Sequence, residues 1–315
     1  MKPLLLYRDH PDYRYDDWLH MKFAVQIPNI VCYGPNLHLE YYQHVPLKYN
    51  PEHSLKYILQ QTGCDVILIM TKSRTYSYYT PIGKYPNVDV SQNISWLPQD
   101  FYSVQIPKIV LEEDYHYEID DEWYRYNGIT LILQRHTSQV GRSQNVPSEW
   151  FPWSVDIKEF TPSNEERINK ICFIGSQDKI IYPVRTMAKQ ILANKGYCDV
   201  YDGKEIRGDI YPFWLRKYRA YLSCGSICNI FPAKTLEIMA SGGVLLTNHF
   251  TGREHLPEHF LYDDKMEDLI EQAERILKNP DKCENLAINA RLAMQEKWNH
   301  EIRIQQLLKI LRRYV

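Results

Sequence analysis

The sequence predicts an α/β protein built from mainly parallel sheets in two domains. Strand-like and helix-like segments alternate through most of the chain, which is typical of parallel sheets joined by helices. Apolar runs such as Asp65–Met70 and Val244–Leu246 have the composition of strands covered on both faces. The length of 315 residues favours about two domains.

The first half contains predicted strands and helices separated by turn residues. Gly63 ends the first predicted helix, and Asn127-Gly128 ends the second. The predicted strands are Pro3–Tyr7, Asp65–Met70, Lys108–Leu111 and Ile129–Leu133, and the predicted helices are Ser54–Gln61 and Asp120–Tyr126.

A segment without periodicity separates the two halves. Residues 150–170 combine prolines, aromatic side chains and charges, which favours a linker. In the second half the predicted strands are Lys170–Ile174, Cys198–Tyr201, Tyr221–Ser223 and Val244–Leu246, and the predicted helices are Lys179–Leu192 and Tyr211–Arg219. Helical spacing of apolar residues predicts three closing helices, at Met266–Leu277, Cys283–Trp298 and Glu301–Arg313.

The composition excludes several classes of protein. Hydrophobic content of 44% and charged content of 24% are ordinary for a globular protein, and a net charge of -2 gives no general attraction to nucleic acid or anionic membrane. The apolar run near Met1 is too short for a signal peptide, and no run approaches the ~20 residues that cross a bilayer. We therefore expect a cytoplasmic protein. The 7 cysteines mostly lie in apolar contexts, which indicates buried thiols rather than disulfides or a zinc site.

The most informative stretch runs from Phe231 to Asn248 and reads F-P-A-K-T-L-E-I-M-A-S-G-G-V-L-L-T-N. It predicts a short helix opened by Pro232 and ended by Gly242-Gly243, followed by a buried strand. Lys234 and Glu237 are three residues apart and therefore share a face near the helix start. A lysine at a helix start suits an anion, and a glutamate suits a ribose hydroxyl, so the pattern favours a nucleoside diphosphate. An amphipathic helix with solvated Lys and Glu is an equal alternative.

Three stretches together resemble the group 1 glycosyltransferases, in particular their spore-maturation (CgeB-like) branch. The first is F-P-W-S-V-D-I-K-E-F-T-P-S (151–163) with I-C-F-I-G-S (171–176), and the second is A-K-T-L-E-I-M-A-S-G-G-V-L-L-T-N (233–248). The third is F-L-Y-D-D-K-M-E-D-L-I-E (260–271) with N-H-E-I-R (299–303). They cover roughly the second half of the chain in the family's order.

The resemblance implies the GT-B fold, in which two Rossmann-like domains face each other across a cleft. The expected domains are 1–156 on the acceptor side and 157–299 for the nucleotide sugar, with the last helix (300–315) a candidate to pack back on the first domain. It also implies a nucleotide-diphosphate sugar as donor, with a UDP-sugar expected, and no metal or other cofactor. The donor-binding residues implied are Gly175, Ser176, Lys234 and Glu237, and Thr235 and Arg253, the latter in a turn expected near the cleft, are further donor-binding candidates.

One position departs from the family pattern. Many retaining members carry a second glutamate eight residues before the first, where this chain has Asn229. The stereochemistry of transfer is therefore left open. Arg185 and Arg253 are further candidate cations, and we expect Arg185 to face solvent on its helix.

Inverting transfer needs a general base for the acceptor. Asp114 and His116 are the candidate catalytic residues, because they follow a buried strand whose end should face the cleft. Glu113 is next, and the pair Asp9 and His10 and the single residue His136 are alternatives. A solvated acidic loop is the simpler interpretation of the segment around Asp114.

Three functions remain open at this point. The first is sugar transfer to a glycan, protein, small molecule or modified nucleic acid, with no integral membrane contact. The second is epimerisation of a nucleotide sugar on the same scaffold. The third is a non-catalytic binding or assembly protein, which the missing glutamate at Asn229 and the unassigned first half leave possible.

Overall fold

A computed structural model describes residues 1–7, 22–35, 37, 45–70, 79–80, 83–84, 96–112, 121–176, 179, 182–203, 205–206, 208–225 and 229–315. Their contacts divide into two compact units. The first comprises Met1–Pro152 and Ile304–Val315, and the second comprises Trp153–Arg303.

In the first unit, helices alternate with strands that mostly belong to one sheet. Its strands are β1 (Pro3–Leu6), β2 (Val31–Tyr33), β3 (Val66–Met70), β4 (Tyr79–Thr80), β5 (Gly83–Lys84), β6 (Lys108–Glu112), β7 (Leu131–Gln134) and β8 (Ser148–Trp150). Its helices are α1 (Leu55–Thr62) and α2 (Asp121–Tyr126), with a 3-10 turn at Thr137–Gln139.

The second unit follows the same alternation. Its strands are β9 (Ile168–Gly175), β10 (Cys198–Asp202), β11 (Tyr218–Leu222), β12 (Val244–Thr247) and β13 (Phe260–Leu261). Its helices are α3 (Pro183–Asn194), α4 (Ile210–Trp214), α5 (Lys234–Ala240), α6 (Leu269–Lys278) and α7 (Pro280–Ala293). A 3-10 turn at Arg253–His255 and a π-helical turn at Met294–Trp298 complete it, and α8 (His300–Leu311) runs across the boundary between the units.

Each unit contains a parallel sheet. In the described residues of the first unit the strand order is β2-β1-β3-β6-β7-β8, and in those of the second it is β10-β9-β11-β12-β13. All neighbouring strands in these two sheets pair in parallel. The strand order reverses beside β1 in one sheet and beside β9 in the other, as in doubly wound nucleotide-binding folds. The predicted α/β class with parallel sheets is therefore confirmed.

Apolar residues cover both faces of the first sheet. Alternate residues of β1 point to opposite faces, so that Leu5 joins one core and Leu4 joins the other. The first core is closed by α8, with Leu307 and Leu311 buried, and the second is closed by α1 through Ile58 and its neighbours. Burial on both faces explains why these strands have continuous apolar sequences.

Several predicted boundaries shift by a few residues, each for a local reason. The helix expected from Lys179 begins at Pro183, because proline lacks an N–H and suits the first helical position. The helix expected over Tyr211–Arg219 ends at Trp214, and β11 then starts at Tyr218, three residues earlier than predicted. The short strands β2, β8 and β13 were not predicted, since three or two residues carry no readable period.

None of the helices in the described ranges has the length and apolar character needed to cross a bilayer.

Candidate functional site

The candidate site lies at the carboxyl ends of the strands in the second sheet. In open parallel sheets, ligands bind outside these ends, beside the position where the strand order reverses. Here that position is next to β9, which ends at Gly175, and β11, which ends at Leu222. Gly175 is buried and Ser176, one residue further, is exposed.

The structure brings Lys234 to the end of β9. Its Nζ donates a hydrogen bond to the carbonyl oxygen of Ile174. A Cβ added to Gly175 would lie 3.3 Å from this Nζ and 3.0 Å from the Phe173 ring. A side chain at position 175 would have to push the ring or the ammonium group away by a few tenths of an ångström, so glycine favours this close approach.

A second glycine supports the same strand end. The Gly203 N–H donates to the Gly175 carbonyl at 3.1 Å. A Cβ on Gly203 would lie 3.2 Å from the Gly175 Cα, so the two backbones are in direct contact. The sequence did not single out Gly203, although a glycine just after a strand is a signal of close backbone approach.

Glu237 is held by a tyrosine from a neighbouring helix. The Tyr211 hydroxyl donates to Glu237 Oε2 at 2.7 Å, and Tyr211 is 7% exposed. The Lys234 ammonium also lies 5.6 Å from the centre of the Tyr211 ring. Tyr211 thus contacts both the cation and the carboxylate of α5, a role that the sequence analysis missed.

Helix α5 begins at Lys234, two residues later than the prediction that Pro232 opens it. The Pro232 carbonyl instead accepts bonds from the Thr235 N–H at 3.1 Å and from the Thr235 hydroxyl at 2.6 Å. Thr235 is fully buried, and its hydroxyl stabilises the helix start. Phe231 is also buried, with its ring 5.6 Å from the Trp298 ring.

The helix ends in a Schellman motif. The Gly242 N–H donates to the Met239 carbonyl at 3.1 Å, and the Gly243 N–H donates to the Ile238 carbonyl at 2.9 Å. Gly242 has the left-handed φ of 75° that the sequence predicted. Gly243 serves a different purpose, because a Cβ there would lie 2.8 Å from the Tyr221 ring.

More positive charge lies at the same edge of the sheet. Arg185 Nη2 donates to the Cys224 carbonyl, just beyond β11, at 3.2 Å, and its guanidinium lies 3.5 Å from the Tyr182 ring centre. The expectation that Arg185 faces solvent is wrong. Burial first, then repulsion by Arg185 and Lys179, lowers the pKa of Lys189. Arg185 and Lys189 lie 5.7 and 5.4 Å from the centre of the Phe173 ring in β9, and together with Lys234 they would attract an anion.

Arg253 and Asn229 lie in neighbouring turns. Arg253 Nη1 lies 3.3 Å from His259 Nε2, and the Thr251 N–H donates to the Asn229 carbonyl at 3.0 Å. Burial lowers the pKa of His259. Asn229 is exposed and has a φ of 55°, a conformation that asparagine adopts far more readily than glutamate does. The backbone at this position therefore favours asparagine.

The candidate bases Asp114 and His116 lie outside the described residues, as do Glu113, Asp9 and His10. His136 is described and is 3% exposed, at the start of the 3-10 turn after β7. Its neighbour Arg135 is also buried and donates to the Pro152 carbonyl at 3.1 Å. In the part of the chain that the structure describes, no group of three or more His, Cys, Asp or Glu could hold a metal ion.

Residues 170–309 match the family described as Glycosyl transferase-like. No curated protein matches the chain in sequence.

Several solved structures share the fold along the whole chain. Sucrose-phosphate synthase from Thermosynechococcus elongatus is 13% identical with a TM-score of 0.66, and the match covers 99% of each chain. A glycosyltransferase from Rickettsia africae is 9% identical with a TM-score of 0.67, covering 99% of this chain and 98% of that one. Anabaena HepE, solved in complex with UDP-glucose, is 12% identical with a TM-score of 0.62, covering 99% of each chain.

These similarities agree with the two parallel-sheet units. Residues 170–309 are thus similar to the glycosyl transferase-like family, and the whole chain has the two-domain fold of these solved structures.

Proposed function

We propose that this protein is a glycosyltransferase that binds a UDP-sugar at the second sheet and transfers the hexose to an acceptor without a bound metal. One observation carries the proposal: α5 brings a lysine against the end of β9 and, one turn later, a glutamate held by Tyr211. A cation and a carboxylate spaced by one helical turn suit the diphosphate and the ribose of a single nucleotide.

The diphosphate would lie at Gly175 and Ser176, next to the Lys234 ammonium. Sugar transfer leaves negative charge on the departing diphosphate, and a fixed cation at that place stabilises it. Arg185 and Lys189 add positive charge beside the same strand end. Arg253 is the remaining candidate contact to the donor.

The ribose would be held by Glu237. A carboxylate accepts hydrogen bonds from two adjacent hydroxyls, and Tyr211 fixes its orientation through Oε2. Such a bond to a charged acceptor contributes about 1.5–3 kcal/mol. The donor assignment is supported by Anabaena HepE, which was solved in complexes with UDP and with UDP-glucose.

The proposals for the catalytic base and for the acceptor are based on the sequence alone. We keep Asp114 and His116 as the proposed bases and the first domain as the acceptor side. The acceptor would be a glycan, a protein, a small molecule or a modified nucleic acid. Membership of the spore-maturation branch, the domain limits 1–156 and 157–299, the cytoplasmic location and the cleft between the domains stay predictions.

Calorimetric titration with UDP tests the donor site. We expect the wild type to bind UDP and Glu237→Ala to bind it about tenfold or more weakly, because one charged hydrogen bond is lost. Glu284→Ala is the matched control, since this glutamate is exposed on α7. Absence of UDP binding by the wild type, or equal affinities in the two variants, would refute the site.

A product assay separates transfer from the alternatives. The protein is incubated with UDP-hexoses alone, and then with candidate acceptors. A glycosylated acceptor, or slow release of free sugar, supports transfer. A new isomer of the nucleotide sugar supports the epimerase, and binding without any turnover supports the non-catalytic protein.

A further inference from the structure

We infer that Arg291 is a positioning residue for donor binding, which it controls from the far end of α5. Its guanidinium joins the last residue of that helix to the segment that opens the second unit. Nη1 donates to the Ala240 carbonyl at 2.7 Å and to the Phe160 carbonyl at 2.6 Å, and Nη2 donates to the Ile157 carbonyl at 3.0 Å. The inference rests on the proposed donor site.

The first route from Arg291 to the site runs along α5. Ala240 ends this helix, and its carbonyl is one of the four that lack a partner inside the helix. A cation at this end also interacts favourably with the helix dipole. Glu237 lies one turn earlier, so the position of Ala240 fixes that of the carboxylate.

The second route runs through Phe160. This residue is 1% exposed, and its ring packs edge-on against Tyr211 with the centroids 6.1 Å apart. Tyr211 in turn donates its hydroxyl to Glu237. Arg291 therefore holds the carboxylate through its helix and holds the tyrosine that orients it through Phe160.

A second arginine shares the helix end without joining the same segment. Arg167 donates through Nη2 to the Ser241 carbonyl and through Nη1 to the Tyr218 carbonyl at 2.8 Å. Burial lowers the pKa of both Arg167 and Arg291. Arg167 ties α5 to the sheet, whereas Arg291 ties it to the segment at 157–160.

The chain offers a matched control in Arg216. It is half-buried like Arg291, and its Nη2 donates to the Glu159 carbonyl in the same segment at 2.7 Å. No described contact links its side chain to α5. Replacing Arg216 therefore perturbs the segment while the bond from Arg291 to Ala240 stays.

The test compares Arg291→Gln, Arg291→Lys and Arg216→Gln with the wild type. Two quantities are measured: the dissociation constant for UDP, and the hydrogen-exchange rates of the amides at 236–243 in the protein without ligand. We expect Arg291→Gln to weaken UDP binding about tenfold, equivalent to about 1.4 kcal/mol. We also expect faster exchange at 236–243, since the helix end loses its anchor.

Arg291→Lys keeps the charge but not the planar guanidinium that reaches both α5 and the segment at 157–160. Its UDP affinity and its exchange rates at 236–243 should therefore lie between those of the wild type and Arg291→Gln. It also replaces Arg291→Gln as the test variant if the latter does not fold. Equal UDP affinity and equal exchange in Arg291→Gln and Arg216→Gln would overturn the inference. If the wild type does not bind UDP, the proposed function fails, and the exchange rates alone still decide whether Arg291 positions α5.

Discussion

At the residue scale, the proposed donor site depends on Tyr211, a residue to which the sequence analysis gave no role in binding. Its ring lies 5.6 Å from the Lys234 ammonium, and its hydroxyl holds Glu237 at 2.7 Å. The two charged residues are visible in the sequence because they share one helix. Tyr211 is 26 positions away from Glu237, and only the fold brings them together.

The Tyr211→Phe variant should bind UDP about tenfold more weakly than the wild type and should distinguish UDP less well from 2′-deoxy-UDP. The ring and its packing remain, while the hydroxyl that orients Glu237 is lost, and hydrogen bonds to charged groups are worth about 1.5–3 kcal/mol. Titration of each protein with both nucleotides gives the ratio of UDP affinities between the two proteins and the ratio of UDP to 2′-deoxy-UDP affinity in each of them.

A second tyrosine–glutamate bond serves as the control for this prediction. Tyr197 donates its hydroxyl to Glu274 at 3.0 Å, between the end of α3 and α6. Tyr197→Phe removes the same chemical group away from the proposed ribose contact, and it should leave UDP affinity unchanged. Equal effects of the two substitutions would show that Tyr211 acts on stability and not on the nucleotide.

Gly175→Ala should weaken UDP binding more than it weakens the fold. The added methyl group would lie 3.3 Å from the Lys234 ammonium and 3.0 Å from the Phe173 ring, so the flexible lysine is displaced from the strand end. Calorimetry and thermal unfolding measure the two effects. Gly196→Ala, in open space with a φ of 72°, should lower stability through backbone strain and leave UDP affinity intact. The reverse pattern would contradict the role given to Gly175.

At the element scale, α5 is a short helix whose position is set by what surrounds it. It packs against β12 and α7 and ends in the Schellman motif at Gly242-Gly243. Seven residues are too few for a stable isolated helix, so its geometry depends on these contacts. The sequence predicted that glycines end the helix, but not that the Tyr221 ring leaves no room for a Cβ at position 243.

Gly243→Ala should destabilise the second unit by about 1–3 kcal/mol, because the new methyl group overpacks the interface between α5 and β11. The Cβ would lie 2.8 Å from Tyr221 and 3.2 Å from Ile238. Gly63 ends α1 in open space with a φ of 66°, so Gly63→Ala should lose only about 1 kcal/mol of stability, through backbone strain. Urea unfolding of the two variants compares them, and a smaller loss for Gly243→Ala would contradict the packing argument.

Strands buried on both faces were predictable, whereas element starts and edge strands were not. β3 and β12 stand out because every residue in them is buried, which demands continuous apolar sequence. The edge strands β2 and β13 have three and two residues, so no period identifies them. Helix α5 starts later than predicted, because Pro232 precedes the helix and its carbonyl accepts the hydrogen bond from the Thr235 N–H.

At the scale of the whole molecule, both units contain a parallel sheet, but only the second half of the sequence carries motifs that point to a ligand. The second sheet carries residues that match a glycosyltransferase family, and the donor candidates at Gly175, Lys234 and Glu237 follow from them. The sequence named Arg185 as a candidate cation but placed it in solvent, and it did not single out Lys189, because the position of both beside β9 depends on how α3 packs. The first half has the same parallel-sheet architecture but no motif that announces a ligand.

Buried ionisable groups in the two units should give the protein a characteristic response to alkaline pH. Burial lowers the pKa of Lys108 to about 8 from 10.5, and its ammonium donates to the Asn127 carbonyl at 2.8 Å. Burial raises the pKa of the Cys32 and Cys198 thiols to about 12, and that of Cys224 to about 11, from 9.0. The lysine and the thiols act on stability in opposite directions.

Between pH 8 and 10.5 the unfolded chain holds a proton on Lys108 that the folded chain releases, so the free energy of unfolding from this group rises with pH. From pH 9 upward the unfolded thiols ionise while the folded ones keep their protons, so their contribution falls with pH until about 11 to 12. Because three thiols outweigh one lysine, stability should change little from pH 8 to 9, fall above about pH 9, and fall more steeply above 10.5, where only the thiol effect remains.

Lys108→Met isolates the lysine, because methionine fills the apolar surroundings and does not titrate. Urea unfolding at intervals from pH 8 to 11, followed by circular dichroism, should show the stability of this variant falling more steeply between pH 8 and 10 than that of the wild type, because the opposing contribution of the lysine is absent. Lys56→Met is the control, since Lys56 is exposed on α1, and its profile should run parallel to that of the wild type. If the Lys108→Met profile also ran parallel, Lys108 would keep an ordinary pKa in the folded protein, and the opposition between lysine and thiols would be excluded.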